Sequence, residues 1–232
     1  MMFMTSRSAD AADATTGIDG DALARLLSIP AGALHPLDAA PTASPWNLDE
    51  LSDLLPATPA VDAVVLVGLV PREHGPRVLL TQRTEGLRHH AGQVSFPGGR
   101  VDRDDAGPVA AALREAEEEI GLQAAFALPM GFLDPLVTIT GFRVLPVVAG
   151  VAPGFVPTPS PDEVADVFEV DLSYLMHPDH LERIAIEYRG RQRHVLQFRS
   201  SPQAPQKRIW GATASILLYL RERLARARES LP

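Results

Sequence analysis

The chain has 232 residues, enough for one sizeable domain with an extension. Its 21 Lys and Arg stand against 29 Asp and Glu, a net charge of −8, which argues against non-specific binding to nucleic acid or to an anionic membrane. There is no cysteine, which excludes disulfides, a thiolate metal site and a cysteine nucleophile. No apolar run approaches the ~18 residues of a membrane span. Met1 to Gly20 lacks the apolar core of a secretory leader, so a cytoplasmic protein is expected.

Residues 1 to about 18 are small and polar, and disorder is expected there. Asp21 to Ser28 and Asn47 to Leu55 read as short helices around a proline-rich connector, with Asn47 placed as an N-cap. Ala60 to Val70 and Arg77 to Gln82 read as strands joined through Pro71 to Pro76. Val94 to Phe96 is a short strand leading into a double glycine. Phe126 to Leu133 and Arg143 to Val151 are further strands. After the proline-rich loop Pro153 to Pro161, Glu163 to Val170 returns to strand and Leu172 to Met176 is a helical turn. Ile184 to Tyr188 and His194 to Phe198 flank Arg189-Gly190-Arg191 as a hairpin candidate. Trp210 to Arg228 is an amphipathic helix with Ile216, Leu217, Leu220 and Leu224 on its apolar side. Periodicity alone gives α/β or α+β.

The chemistry concentrates between Gly98 and Leu122. Pro108 suits a first helical position, where a missing N–H costs nothing, and Gly121 suits the cap at the other end. Between them Val109, Ala112, Leu113, Ala116 and Ile120 form an apolar face. Glu115, Glu118 and Glu119 are spaced three and four apart and are expected to share another face. Repulsion among them costs roughly 0.2–0.5 kcal/mol per pair in an isolated helix. A divalent cation would reverse that cost, and Mg²⁺ or Mn²⁺ suits carboxylate oxygens and a phosphate substrate. The plainer alternative is a solvated acidic face. Arg114 can hold the acidic spacer by charge-assisted bonds.

This stretch resembles the Nudix hydrolase signature, G-x5-E-x7-R-E-U-x-E-E-x-G-U, with U aliphatic. The match falls at Gly99, Arg114, Glu115, Ala116, Glu118, Glu119, Gly121 and Leu122. It departs at the early Glu: the spacer is one residue longer and Asp105 stands near that place, with Asp102 beside it. Upstream, Leu79 to Gly99 resembles the L-L-T-x-R-(S/A)-x3-R-x3-G-x3-F-P-G-G motif of the coenzyme A pyrophosphatase branch, with Thr84 where Ser or Ala is usual. Gly141 to Val148 and Trp210 to Ala214 also look like that branch. The resemblance spans about residues 60 to 225.

The resemblance implies a mixed β-sheet between helices as a hydrolase domain over residues 60–228, with residues 1–59 as an extension. It implies that Glu115, Glu118 and Glu119 hold one to three Mg²⁺ or Mn²⁺ ions, with Glu118 also among the catalytic groups, and that Gly98 and Gly99 line the substrate, Gly99 adding its carbonyl to the metal. The implied reaction is hydrolysis of coenzyme A, or a derivative, to 3′,5′-ADP and 4′-phosphopantetheine. Arg83, Arg88, His89 and His90 offer donors to such an anion, although Arg83 and Arg88 can equally pair with local acids such as Glu85.

Glu163, in Ser160-Pro161-Asp162-Glu163-Val164, is the candidate general base outside the helix. The alternative for Glu163 is a strand-edge surface acid. Asp102 and Asp105 read as partners of Arg114 rather than ligands. His177 and His180 read as lone surface histidines, and Trp210 as core rather than a stacking platform. Two other functions stay open: a Nudix hydrolase of another nucleoside diphosphate such as ADP-ribose or a dinucleotide, and a non-catalytic nucleotide-sensing module. The expected partner is a small molecule, with no nucleic acid and no membrane. The extension reads as an added helical arm or a contact in a homodimer.

Overall fold

A computed structural model describes residues 27, 29–45, 47, 51, 53–57, 60–87, 90–188 and 190–230. The expected disorder of residues 1–18 lies outside these. So do most of the helices expected at Asp21 to Ser28 and Asn47 to Leu55, although Leu27 and Leu51 are helical.

Ten strands form two sheets. β1 (Val61–Val70), β2 (Arg77–Arg83), β3 (Val94–Ser95), β4 (Gly98–Arg100), β5 (Ala127–Phe132), β6 (Leu136–Val137), β7 (Phe142–Val151) and β8 (Val164–Asp171) make one mixed sheet. Its order is β3-β2-β1-β7-β5, with β4 on β1, β6 on β7 and β8 on β2. β1 and β7 pair in parallel and the other pairs are antiparallel. β9 (Leu181–Tyr188) and β10 (Arg191–Phe198) form a separate antiparallel ribbon around Gly190, whose φ of 71° suits the turn.

The helices are α1 (Pro108–Ile120), the short α2 (Leu172–Met176) and α3 (Gly211–Glu229). The sheet lies between α1 and α3. Val64 and Leu66 of β1 pack with Ala111, Ala112, Ala116 and Ile120 of α1. Ala63, Val67 and Leu69, on the opposite face of the same strand, pack with Ile216, Leu217, Leu220 and Leu224 of α3. Both faces of β1 are therefore dry, which explains its nearly unbroken apolar run. Each fully buried aliphatic side chain contributes about 1.5–3 kcal/mol to this core.

Three differences from expectation have physical reasons. The double glycine is not a bare turn: Gly98–Arg100 is a strand paired with Val65, Val64 and Ala63. β6 is also additional, and two residues are too short to show a period. The Asn47 side chain does not cap a helix. Its amide donates to the Val137 carbonyl and accepts from the Val137 N–H, both at 2.8 Å, as a neighbouring strand would. That pair fastens the extension to the catalytic domain.

Candidate active site

α1 begins at Pro108 and ends at Gly121, whose φ of 70° is left-handed and whose N–H closes onto the helix. The last carbonyls of a helix have no partner within it. Here the 152–163 loop supplies two, through Thr158 N–H to Ile120 O at 2.9 Å and Ser160 N–H to Glu119 O at 2.8 Å. A Cβ on Gly121 would strike Thr158, so the glycine also lets the loop approach. These bonds carry Glu163 toward the helix.

The three glutamates of α1 do not share one environment, contrary to the sequence expectation. Glu119 is 3% exposed and turns inward beside Ala116 and Ile120, where its carboxylate accepts the Gly98 N–H at 3.1 Å. Glu118 is solvent-exposed. Glu115 lies between, with its carboxylate over Gly99, where any Cβ would collide with it. Gly98 must be a glycine for another reason: a Cβ there would meet the Val64 carbonyl and Val65 Cα.

Arg114 organises the near end. It grips Asp105 through Nε and Nη2, each at 3.0 Å, and reaches Glu115 at 3.0 Å and Glu118 at 3.2 Å. Its Nη2 also donates to the Arg100 carbonyl at 3.1 Å. Asp105 is thus a partner of Arg114 and its carboxyl is held below the usual range by that bond. Asp102 stands farther off, at 3.7 Å. With Arg114 between Glu115 and Glu118 and Glu119 turned to Gly98, no three acidic or histidine side chains among the described residues stand arranged as a metal cage.

The electrostatics nonetheless fit a cation. Burial pushes the Glu119 carboxyl up to about 7, against the Gly98 N–H and Arg83, and the charges of Glu115 and Glu163 raise it further. Burial also raises Glu115, with Glu118 and Glu163 adding to the rise against Arg114. Glu163 is exposed but near enough for its charge to act on both. These are hard oxygen donors, crowded and under-compensated, the set that Mg²⁺ or Mn²⁺ takes.

Arg83 brings its Nη1 to 3.6 Å from Glu119. Its Nε is buried with no hydrogen-bond partner among the described residues. The Glu85 carboxyl lies over Gly92 instead of pairing with Arg83. Arg88 and His89 lie outside the described residues, and His90 bonds Gln93 at 2.9 Å. His177 and His180 are not lone: His180 stacks on Tyr174 at 3.9 Å between centroids, with His177 at 4.8 Å. Trp210 is half-buried under the Arg208 guanidinium, 4.5 Å from its ring.

A cavity of about 280 Å³ lies between the extension and the sheet end, lined by Pro45, Leu55, Pro56, Val137, Phe142 and Arg143 among others. None of the α1 carboxylates lines it, so the acidic site is an open surface rather than this pocket. Sequence reasoning missed the inward turn of Glu119 and the Gly98 N–H that receives it. The periodicity held the signal, because position 119 adjoins both Ala116 and Ile120 on the helix.

Comparison with known proteins agrees with this arrangement. A family model described as the NUDIX domain matches residues 59–197. An Escherichia coli K12 protein described as the uncharacterized Nudix hydrolase NudL is 42% identical over 158 residues, covering 68% of this chain and 80% of that protein. A Shigella boydii protein of the same description is equally similar, 42% over 158 residues. Among solved structures, the Mycobacterium smegmatis Nudix hydrolase RenU is 25% identical with a TM-score of 0.44, covering 52% of this chain and 79% of RenU. A MutT protein from Methanosarcina mazei is 19% identical with a TM-score of 0.45, covering 75% of this chain and 96% of that one.

Proposed function

The chain belongs to the Nudix family, and on that premise we propose that it hydrolyses the pyrophosphate of coenzyme A or a derivative. Family membership carries the coarser statement, that the protein is a nucleotide pyrophosphohydrolase of a family that uses divalent metal. The observation that supports catalysis is the buried Glu119 facing two further carboxylates, Glu115 and Glu163. An inactive sensing module has no need to hold a carboxyl so far from its ordinary value.

Glu115, Glu118 and Glu119 are the proposed holders of Mg²⁺ or Mn²⁺, with the Gly99 carbonyl beside them. Bound there, the cation neutralises the bridging phosphates and acidifies a water. Glu163 is the proposed base that takes the proton of the attacking water. Water oxygen bonds to one phosphorus, the anhydride P–O bond breaks, and two phosphomonoesters leave. Arg114 holds the acidic spacer and steadies Glu115. Arg83, with an unengaged Nε, donates to the phosphates; Gly98 and Gly99 leave room for them.

Coenzyme A is supported by the Leu79 to Gly99 motif, which yields 3′,5′-ADP and 4′-phosphopantetheine or its acyl form as products. A second reading, another nucleoside diphosphate such as ADP-ribose or a dinucleotide, is favoured by one observation. Arg83 is the only arginine of that motif among the described residues, and it faces Glu119. Product analysis on coenzyme A, dephospho-coenzyme A, ADP-ribose and a dinucleotide separates the readings. If Arg83 or Arg88 reads the 3′-phosphate, a charge-assisted bond of roughly 1.5–3 kcal/mol favours coenzyme A over dephospho-coenzyme A about tenfold or more. Equal rates on the two remove the arginines from that role. Faster turnover of ADP-ribose gives the protein to the second reading.

A further inference from the structure

Two proposed site residues outside α1 come from one strand pair. Arg83 ends β2, and Glu163 immediately precedes β8, which pairs with β2. The pairing runs regularly to Gln82↔Asp166 and then slips, so that Arg83 faces Val164. This irregularity re-aims the strand end, as β-bulges do beside active sites. On the α1 side it is held by Thr84, whose N–H donates to the Glu163 carbonyl at 3.0 Å and whose hydroxyl donates to the Asp162 carbonyl at 3.1 Å.

The opposite face of the sheet carries a second fastening. Lys207 lies beyond residue 197, where the family match ends. Its ammonium donates to the Gln82 side-chain oxygen and lies 2.5 Å from Asp166 Oδ2. It therefore clips together the last regular pair before the slip. The Lys207 side chain is 18% exposed, and its ammonium sits 5.3 Å from the Phe168 ring centroid. Gln82 uses its other end as well: Nε2 donates to the Gly92 carbonyl at 3.2 Å. Gly92 lies in the loop that returns to β3, and Gln93 accepts the Arg83 N–H at 3.0 Å. One lysine thus anchors β2, β8 and that loop, and so both strand ends that supply Arg83 and Glu163.

We infer that Lys207 is a positioning residue: from the far face of the sheet it fixes the β2–β8 slip that aims Arg83 and Glu163 at the α1 carboxylates. Small misplacements of catalytic groups are costly, since a shift of about 1 Å far from the chemistry can lose about 10²-fold in rate. The inference rests on the proposed roles of Arg83 and Glu163.

The test is steady-state kinetics on full-length protein, with the best substrate of the panel above and Mg²⁺. The variants are Lys207→Met, which keeps the stem over Phe168 but loses the charge, Lys207→Arg, which retains it, and Asp166→Asn, at a half-exposed position. Lys207→Met should lower kcat/KM about tenfold with the melting temperature nearly unchanged. Lys207→Arg should restore most of the loss, and Asp166→Asn should show a smaller loss of the same kind. In a Glu163→Gln, Arg83→Ala background, Lys207→Met should cost little more, because the groups it positions are gone. Full activity in both Lys207→Met and Asp166→Asn overturns the inference, as does an undiminished tenfold loss in the doubly substituted background. If Arg83→Ala and Glu163→Gln are themselves silent, their proposed roles fail and this inference falls with them. If they are damaging and Lys207→Met is silent, only the positioning role fails.

Discussion

Two half-buried clusters of acids and arginine hold opposite electrical states. At one, Asp134 receives the Tyr219 hydroxyl, His35 Nε2 at 3.1 Å and Arg223 Nη1 at 3.4 Å. Burial pushes the Asp134 carboxyl up, but these donors outweigh it and leave it below its ordinary value. At the other, Glu119 has one amide and a distant Arg83 against burial, Glu115 and Glu163, and its carboxyl rises to about 7. The first cluster is satisfied. It ties the extension, through His35 and the Ala33 carbonyl held by Arg223, to β5 and α3. The second is left wanting positive charge. A protein builds the first for stability and keeps the second for a ligand.

The largest effect expected from breaking this contrast is at Glu119. Glu119→Gln removes the charge while keeping the shape and should lower turnover on the order of 10³-fold or more at saturating Mg²⁺. Its burial beside Ala116 makes the shape matter more than an exposed position would, and glutamine can still accept the Gly98 N–H. Near-normal turnover would remove Glu119 from the metal set.

Glu163→Gln should come next, lowering kcat about 10²-fold or more with little change in KM, without rescue by Mn²⁺. Rescue by raised Mn²⁺ would make Glu163 a ligand instead, and full activity would make it a bystander.

Much of this site was legible in the sequence because its signals are local. Pro108 and Gly121 bracket α1 to the residue, and Ile216, Leu217, Leu220 and Leu224 mark the buried side of α3. Asp105 and Arg114 are linked by spacing and charge. What was not legible depends on long-range pairing. β4 is two glycines and an arginine, with no side-chain alternation to read, and it becomes a strand only because β1 lies beside it. The slip at Gln82/Arg83 arises from pairing with a strand some 80 residues away along the chain. The His35–Asp134–Tyr219–Arg223 cluster joins residues with no common motif, and only the folded chain brings them together.

The smallest expected effect on turnover sharpens the contrast from the other side. Asp134→Asn should cost about 1–3 kcal/mol of stability, the typical loss when buried donors lose a charged acceptor. Its kcat should match that of the parent, since the cluster touches none of the α1 carboxylates. Urea unfolding and turnover measured on the same preparation check both halves. A loss of kcat without a loss of stability would move this cluster into the reaction.

The two clusters also predict opposite responses to pH. Asp134, lowered in the folded state, adds stability above its unfolded value of 3.8 and loses it as pH falls below that. Glu119, raised to about 7 against 4.5 unfolded, adds stability below 4.5 that is lost as pH rises through about 7. Across that window the metal-free protein should lose about 3 kcal/mol on its account.

The most direct test is therefore the unfolding free energy of metal-free protein and of Glu119→Gln, at pH 5 and pH 8, with and without Mn²⁺. We expect the parent to weaken from pH 5 to pH 8 and to be restored by Mn²⁺. Glu119→Gln should be the more stable of the two without metal at pH 8, and should gain much less from Mn²⁺. A Glu119→Gln protein less stable than the parent at pH 8, or stabilised by Mn²⁺ as strongly as the parent, would contradict the account of Glu119 as an uncompensated carboxylate held for a cation.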